Sequence, residues 1–446
     1  MHIVIIGNGI SGITAARTIR KNADHAITVI SDESDHFYSR TALMYIFMGH
    51  MKYEHTKPYE DFFWSKNRIN LLRARVEKVD HSSKTLTLAN IPDTLTYDKL
   101  IIATGSKPAF YNWPGQELKG VQGLYGLADL EQLQGRYKEA KNAVIVGGGL
   151  IGIEMAEMLH SKGVHVSMLV REELYWSSVL PKDEATLVTT HIREHGIDLQ
   201  LETELQEIIG NQNGEVAAVI TSKEERLDCE IVGITTGVKP NVDFLKNTDL
   251  EIDKGVLVNE YFETNLTDVY AIGDCVQHRN PPEGRKPLEQ IWYTGRMMGE
   301  RLGLNLTTTK EPYNPGIFFN SAKFFDLEYQ VYGAISSKAD KHIGEFIFKD
   351  FADIKNRRII NIQFDSETKA VLGINTINVR LRQLVCEKWI KEGYTLENVL
   401  SEWVLANFDP EFYSRYETAL LAQYEREFGK KIQMVKKKKG LLAKWL

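Results

Sequence analysis

The chain opens "MHIVIIGNGISGITAAR" (residues 1–17), and the reading of this stretch decides the fold. An apolar run, Ile3 to Ile6, enters Gly-x-Gly-x-x-Gly at Gly7, Gly9 and Gly12, and a helix-like segment follows. In such a turn the first glycine permits a tight bend and the second lets backbone N–H groups approach a pyrophosphate. The third lets the helix pack close to the sheet. The helix N-terminus adds unpaired N–H groups and partial positive charge. An acid near the end of the next strand commonly accepts hydrogen bonds from a ribose diol. Glu33 lies 21 residues after Gly12, just beyond "AITVIS", and completes the fingerprint.

The pattern recurs at "NAVIVGGGLIGIEMAEML" (142–159), with Gly147, Gly149 and Gly152 again between a strand and a helix. Its distal acid is less defined, because Val170 ends the expected strand and Arg171 and Glu172 follow. Glu172 suits a ribose hydroxyl and Arg171 a 2′-phosphate, so NADH and NADPH both stay open. Two such turns in one chain indicate two dinucleotides.

A length of 446 residues points to two to four domains, and 43% apolar with 26% charged residues is the composition of a globular protein. A formal net charge of −6 gives no case for nucleic-acid binding. No run approaches 18 uncharged apolar residues, so no membrane span is expected. The start lacks a basic region ahead of a long apolar stretch, and no signal peptide is expected. Cys229, Cys275 and Cys386 are scattered, without CxxC or zinc spacing, and no metal site is read from the sequence. Scattered thiols suit a reducing, cytoplasmic compartment.

Further along, "YDKLIIATGSKP" (97–108) and "NLTDVYAIGDCVQ" (265–277) each read as a strand ending in a glycine turn. "LEQIWYTGRMMGERLG" after the second reads as helix, and alternating aromatic strands begin past 316.

Residues 1–375 resemble the two-dinucleotide-binding-domain flavoproteins. That group holds ferredoxin and rubredoxin reductases, NADH oxidases, the flavin part of NADH nitrite reductase, and disulfide reductases. Five marks in order carry the resemblance: both glycine turns, "IIATGSKP" (101–108), "GITTGVKPN" (233–241, with Gly237) and "TNLTDVYAIGDC" (264–275, with Gly273). It implies an α/β fold with two Rossmann-like three-layer dinucleotide-binding domains, one inserted in the other. The FAD domain would take 1–112 and 245–315, and the NAD(P)H domain 113–244. A small α+β C-terminal domain at 316–375, often a dimer interface in relatives, completes what the resemblance implies; residues 376–446 depart from the shorter relatives, and their helical spacing and heavy aromatic content read as a helical tail.

The resemblance also implies residue roles. Gly7, Gly9 and Gly12 face the FAD pyrophosphate, Glu33 binds the adenosine ribose, and Arg40 in "FYSRTAL" lies near adenine and phosphates. The Val76 backbone contacts adenine, Thr104 and Gly105 line the FAD, and Asp274 bonds the ribityl chain. Ile291 and Trp292 begin a helix aimed at the flavin pyrimidine oxygen, where reduction places negative charge. Glu154 matches the glutamate near flavin N5 and the nicotinamide. Tyr45 stands where ferredoxin-reductase relatives keep a lysine paired with that glutamate, so the tyrosine is expected to cover the flavin instead.

Disulfide-reductase relatives keep CxxxxC in the first helix region, and peroxidase or oxidase relatives keep one cysteine there. Residues 31–60 contain none, which excludes thiolate chemistry at the flavin. The function implied is NAD(P)H oxidation with electrons passed to an external acceptor, a ferredoxin-like protein carrier. The alternatives are a peripheral-membrane quinone reductase and a flavin-bearing partner-binding protein with little turnover. Residues 430–446 hold seven lysines and no acid beside Leu441, Leu442, Trp445 and Leu446. Adsorption to an anionic membrane and a solvated terminus both fit that composition.

Overall fold

A computed structural model describes residues 1–352, 357–408 and 415–435. It divides into two compact units, Met1–Arg171 with Gly196–Pro315, and Glu172–His195 with Gly316–Leu446.

The first unit contains two five-stranded parallel sheets. One runs Val269–Ala271, Lys99–Ile102, His2–Ile6, Ala26–Ser31 and Ile69–Arg73. The strand that enters the first glycine turn is therefore central. Central strands are covered on both faces, which is why "IVII" is an unbroken apolar run rather than an alternating one. Ile3, Val4 and Ile5 are wholly buried, each worth about 1.5–3 kcal/mol of transfer free energy. The other sheet runs Asp198–Leu201, His165–Val170, Asn142–Val146, Ile231–Ile234 and Val121–Gln122, with the second glycine strand again in the middle.

The helix after the first turn, Ile10–Asn22, packs along helix Trp292–Asn305. Gly295, Gly299 and Gly303 form the contact stripe, set against Ser11, Thr14, Ala15 and Thr18. Both helices consequently begin at one cavity, which Ile10 and Trp292 help to line. Between strands Ala26–Ser31 and Ile69–Arg73 the chain carries short helical pieces, among them Leu43–Met48 and Phe62–Lys66.

In the second unit an antiparallel sheet runs Phe319–Phe324, Leu327–Gly333, Val371–Ile377, Arg358–Asp365 and Ile343–Asp350. Helices Gln383–Lys391, Leu396–Glu402 and Glu417–Phe428 share one apolar core with it, centred on Trp389, Trp403, Tyr424, Phe346 and Ile360. The aromatic spacing after 376 thus packs on the sheet of this same unit. Residues 172–195, with helix Lys182–Glu194, also group here, whereas the expected boundary places them with 113–244. The lysine-rich end from 436 lies outside the described residues.

Candidate functional site

The first glycine turn is shaped by close backbone approach. Gly7 has φ +116°, and a Cβ there would sit 2.1 Å from the Ala103 carbonyl oxygen; at Gly12 it would sit 2.1 Å from the Gly7 oxygen. Gly9 is different, since a Cβ at this position meets no protein atom within 4 Å. The middle glycine therefore faces open space, at the start of a helix with no side-chain cap. The second turn repeats the pattern. Gly147 and Gly152 approach backbone at 2.7 and 2.6 Å, and Gly149 faces open space.

The open space at Gly9 is a cavity of about 780 Å³, within the range of cofactor sites. Of the residues singled out from the sequence, Gly7, Gly9, Glu33, Arg40, Val76, Thr104, Gly105, Glu154, Asp274 and Trp292 line it. Gly12 packs beneath the turn, and Ile291 caps the helix that Trp292 begins. Gly273, with φ +80°, packs on Ser11, and Gly237, with φ +128°, follows the strand Ile231–Ile234. Arg171 directly follows the strand His165–Val170, and Glu172 belongs to the second unit.

Tyr45 is not among the lining residues; Leu43 and Met44 of the same short helix are. Consecutive helical side chains diverge by about 100°, so Met44 and Tyr45 cannot share a direction. Tyr45 lies beside His50 instead, ring centroids 6.2 Å apart. This corrects the expectation that the tyrosine covers the cavity next to Glu154.

Within the cavity lining, Arg40 clasps Glu33 with two hydrogen bonds of 2.8 and 2.5 Å. The Tyr38 hydroxyl and the Leu127 N–H also donate to Glu33 Oε1, leaving Oε2 with Arg40 as its only donor among the described residues. Burial alone would raise the Glu33 carboxyl, but the Arg40 guanidinium outweighs it and holds the group below its ordinary value.

Asp274 also lines the cavity, joined to Arg40 through Tyr125, and burial pushes its carboxyl up to about 6. Its protein donors are distant, Ser106 Oγ at 3.3 Å and the Tyr125 hydroxyl at 3.4 Å. The carboxyl thus retains capacity for hydroxyl donors from a ligand. Glu154, on helix Leu150–His160, has no described hydrogen-bond or ion-pair partner; burial, with Glu157 nearby, raises it to about 7. Tyr125, Ser106 and Gln290 were not legible in the sequence. Gln290 donates to Ser106 Oγ at 2.6 Å and Tyr125 accepts from the Ser106 N–H at 2.9 Å, so the three brace Asp274.

No cysteine lines the cavity. Cys229, Cys275 and Cys386 are buried thiols, and burial raises all three. Such groups are inert packing residues rather than nucleophiles.

Comparison with known proteins agrees with this geometry. The family described as pyridine nucleotide-disulphide oxidoreductase matches residues 1–299. A nitrite reductase [NAD(P)H] of Bacillus subtilis is 26% identical, covering 84% of this chain and 49% of its own length, so the chain spans about half of that relative. A rubredoxin-NAD(+) reductase of Pseudomonas putida is 29% identical, covering 63% of this chain and 73% of its own. Among solved structures, an NAD-dependent persulfide reductase from A. fulgidus superposes with TM-score 0.84 at 25% identity, covering 96% of this chain and 84% of that one. Two parallel sheets, each entered through a glycine turn, and a match over the first 299 residues place the protein. The chain belongs to the pyridine nucleotide-disulphide oxidoreductase family, whose members bind FAD and use NAD(P)H.

Proposed function

We propose that the chain oxidises NAD(P)H and passes the electrons through FAD to an external carrier protein of the ferredoxin or rubredoxin kind. The observation that carries this reading is a dinucleotide-sized cavity that joins a glycine turn to the half-buried carboxyls of Asp274 and Glu154 and holds no thiol. The residues fit FAD: open space faces Gly9, and Asp274 keeps acceptor capacity for polyol hydroxyls. When bound, FAD supplies the redox couple that links a two-electron donor to a one-electron acceptor.

The roles proposed for the chain follow. Gly7, Gly9 and Gly12 present the backbone to the pyrophosphate, and Glu33 Oε2 takes a ribose hydroxyl. Arg40 offsets phosphate charge, Asp274 holds the ribityl chain, and the start of helix Trp292–Asn305 supplies positive potential. Gly147, Gly149 and Gly152 receive the nicotinamide dinucleotide, with Arg171 or Glu172 reading its adenosine ribose. Glu154 lines the cavity from the second glycine helix and so stands where the two cofactors meet. The proposed domains are 1–112 with 245–315 for FAD, and 113–244 for NAD(P)H. The rubredoxin-NAD(+) reductase relative supports a protein acceptor, as does a site without the thiolate that disulfide chemistry needs.

The test is anaerobic mixing of the purified protein with NADH and with NADPH, followed by an acceptor panel. The expected result is bleaching of the flavin by at least one nucleotide and faster reoxidation by ferredoxin or rubredoxin than by short-chain quinones. Preference for quinones with liposome binding lost on removing 430–446 would move the reading to a peripheral membrane enzyme. Bleaching by neither nucleotide would leave a partner-binding flavoprotein. Because burial raises the Glu154 carboxyl to about 7, the bleaching rate in wild type should change between about pH 6 and 8. In Glu154→Gln that dependence should flatten; an unchanged profile would remove Glu154 from the site.

A further inference from the structure

In the second unit, far along the chain from the glycine turns, His191 and His195 occupy the last turn and the end of helix Lys182–Glu194, with Asp326 opposite them. We propose that these three side chains form a binding site for a divalent d-block cation, Zn²⁺ in the first instance.

The hydrogen-bond inventory points there. His195 Nδ1 lies 2.9 Å from the His191 carbonyl oxygen, which only accepts, so Nδ1 carries the proton. In the neutral ring Nε2 then holds a lone pair, and it lies 3.5 Å from Asp326 Oδ1, another acceptor. Two acceptors facing each other are reconciled by a positive charge between them, either a proton on Nε2 or a metal ion, and the three-residue cluster offers the ligand set for the latter. A backbone carbonyl on the far ring nitrogen is also the arrangement that fixes a metal-binding histidine in its tautomer and orientation.

The remaining geometry agrees. Ligand atoms of the three residues lie within 4.8 Å of one another. Zinc bonds of about 2.0–2.1 Å in tetrahedral geometry separate ligand atoms by about 3.3 Å, close to the 3.5 Å seen for His195 and Asp326. His191 Nε2 stands closer to Asp326 Oδ1, at 2.5 Å. That pair must open by roughly 1 Å, which the Asp326 side chain, 66% exposed on a two-residue hairpin turn, permits. On binding, the proton between them passes to His191 Nδ1 or to solvent.

Histidines four apart share one face of a helix, and a helix C-terminus favours a cation. Phe325, held at φ +54° in the hairpin turn, stacks its ring on His195 at 4.3 Å and 20°. Turns of this type prefer Asn, Asp or Gly at such a φ, so an aromatic here serves the imidazole rather than the turn. Two histidines and one carboxylate leave a fourth position for water or a ligand. The cation would tie Lys182–Glu194 to a hairpin 135 residues later in the chain. The sequence could not show this, because the third ligand is remote from the pair.

The test uses the full chain, stripped with a chelator and titrated with Zn²⁺ against a chromophoric competitor. One equivalent should bind, with a rise in thermal midpoint, and Co²⁺ should give the intense visible bands of a four-coordinate ion. Outer-shell partners alone are worth about 10–100-fold in metal affinity, so losing a direct ligand in His191→Ala or His195→Gln should cost about 100-fold or more. Asp326→Asn, at an exposed turn that leaves the fold intact, should also weaken binding. Circular dichroism and loss of flavin identify a variant that has failed to fold; the half-exposed His195→Gln then decides. Failure to bind one equivalent, or binding unchanged in His195→Gln and Asp326→Asn, would overturn the site and leave a histidine–aspartate ion pair.

Discussion

Gly7→Ala is expected to yield colourless, destabilised protein, whereas Gly9→Ala is expected to yield colourless protein of nearly normal stability. At Gly7 the added Cβ would lie 2.1 Å from the Ala103 oxygen and 2.7 Å from its carbon, at a φ of +116°. Backbone atoms of a central strand cannot yield cheaply. The unfavourable φ costs about 1–3 kcal/mol and the overlap about as much again. A sum near 4 kcal/mol corresponds to about a thousandfold in an equilibrium constant. Gly9 has φ −70°, which any residue adopts, and a methyl there meets no protein atom. It would stand only where the pyrophosphate is proposed to lie. Flavin content and thermal midpoint, measured together, separate the two cases. Flavin retained in Gly9→Ala would show that the diphosphate lies elsewhere.

Arg40→Ala should lower stability by about 3–5 kcal/mol at neutral pH, the cost of leaving a largely buried carboxylate without its partner. The Arg40 and Glu33 side chains are 28% and 23% exposed, so solvent screens this pair only in part. The pH dependence carries a sign that distinguishes the pair from simple packing. In wild type the folded Glu33 carboxyl is held below its unfolded value of about 4.3, by Arg40 against the opposing effect of burial. Its contribution is therefore complete above about pH 4.3 and is lost as pH falls through the lower folded value. Without Arg40, burial dominates and raises the folded value above the unfolded one. The variant should then gain more stability than wild type as pH drops from 7 towards 5, on top of the gain that the raised carboxyls of Glu154 and Asp274 give both proteins. Denaturant melts across that range check the sign, and parallel curves would mean that Arg40 acts by packing alone.

The two glycine turns were legible because their spacing is a short signature between a strand and a helix: Gly12 meets the Gly7 carbonyl five residues back, and Gly152 meets that of Gly147 in the same way. The bracing of Asp274 was not legible. Ser106 stands 184 residues from Gln290 and 168 from Asp274, and only the topology of the first unit joins them. Tyr45 was assigned to the cavity by likeness to a relative's lysine; a step of one residue on a helix redirects a side chain, and Met44 rather than Tyr45 lines the cavity. The aromatic stretch after 376 announced helices by its spacing. It did not announce that Trp389 and Trp403 would stack at 6.1 Å in one core with the sheet of their own unit.

Reconstitution of flavin-stripped protein with FAD, followed by fluorescence quenching and by equilibrium dialysis, tests the central claim most directly. One FAD per chain, displaced by neither FMN nor riboflavin because both lack the diphosphate-linked adenosine that Gly9 and Glu33 are proposed to hold, is the predicted result. Stoichiometric uptake of FMN in its place, or no uptake of any flavin, would contradict it.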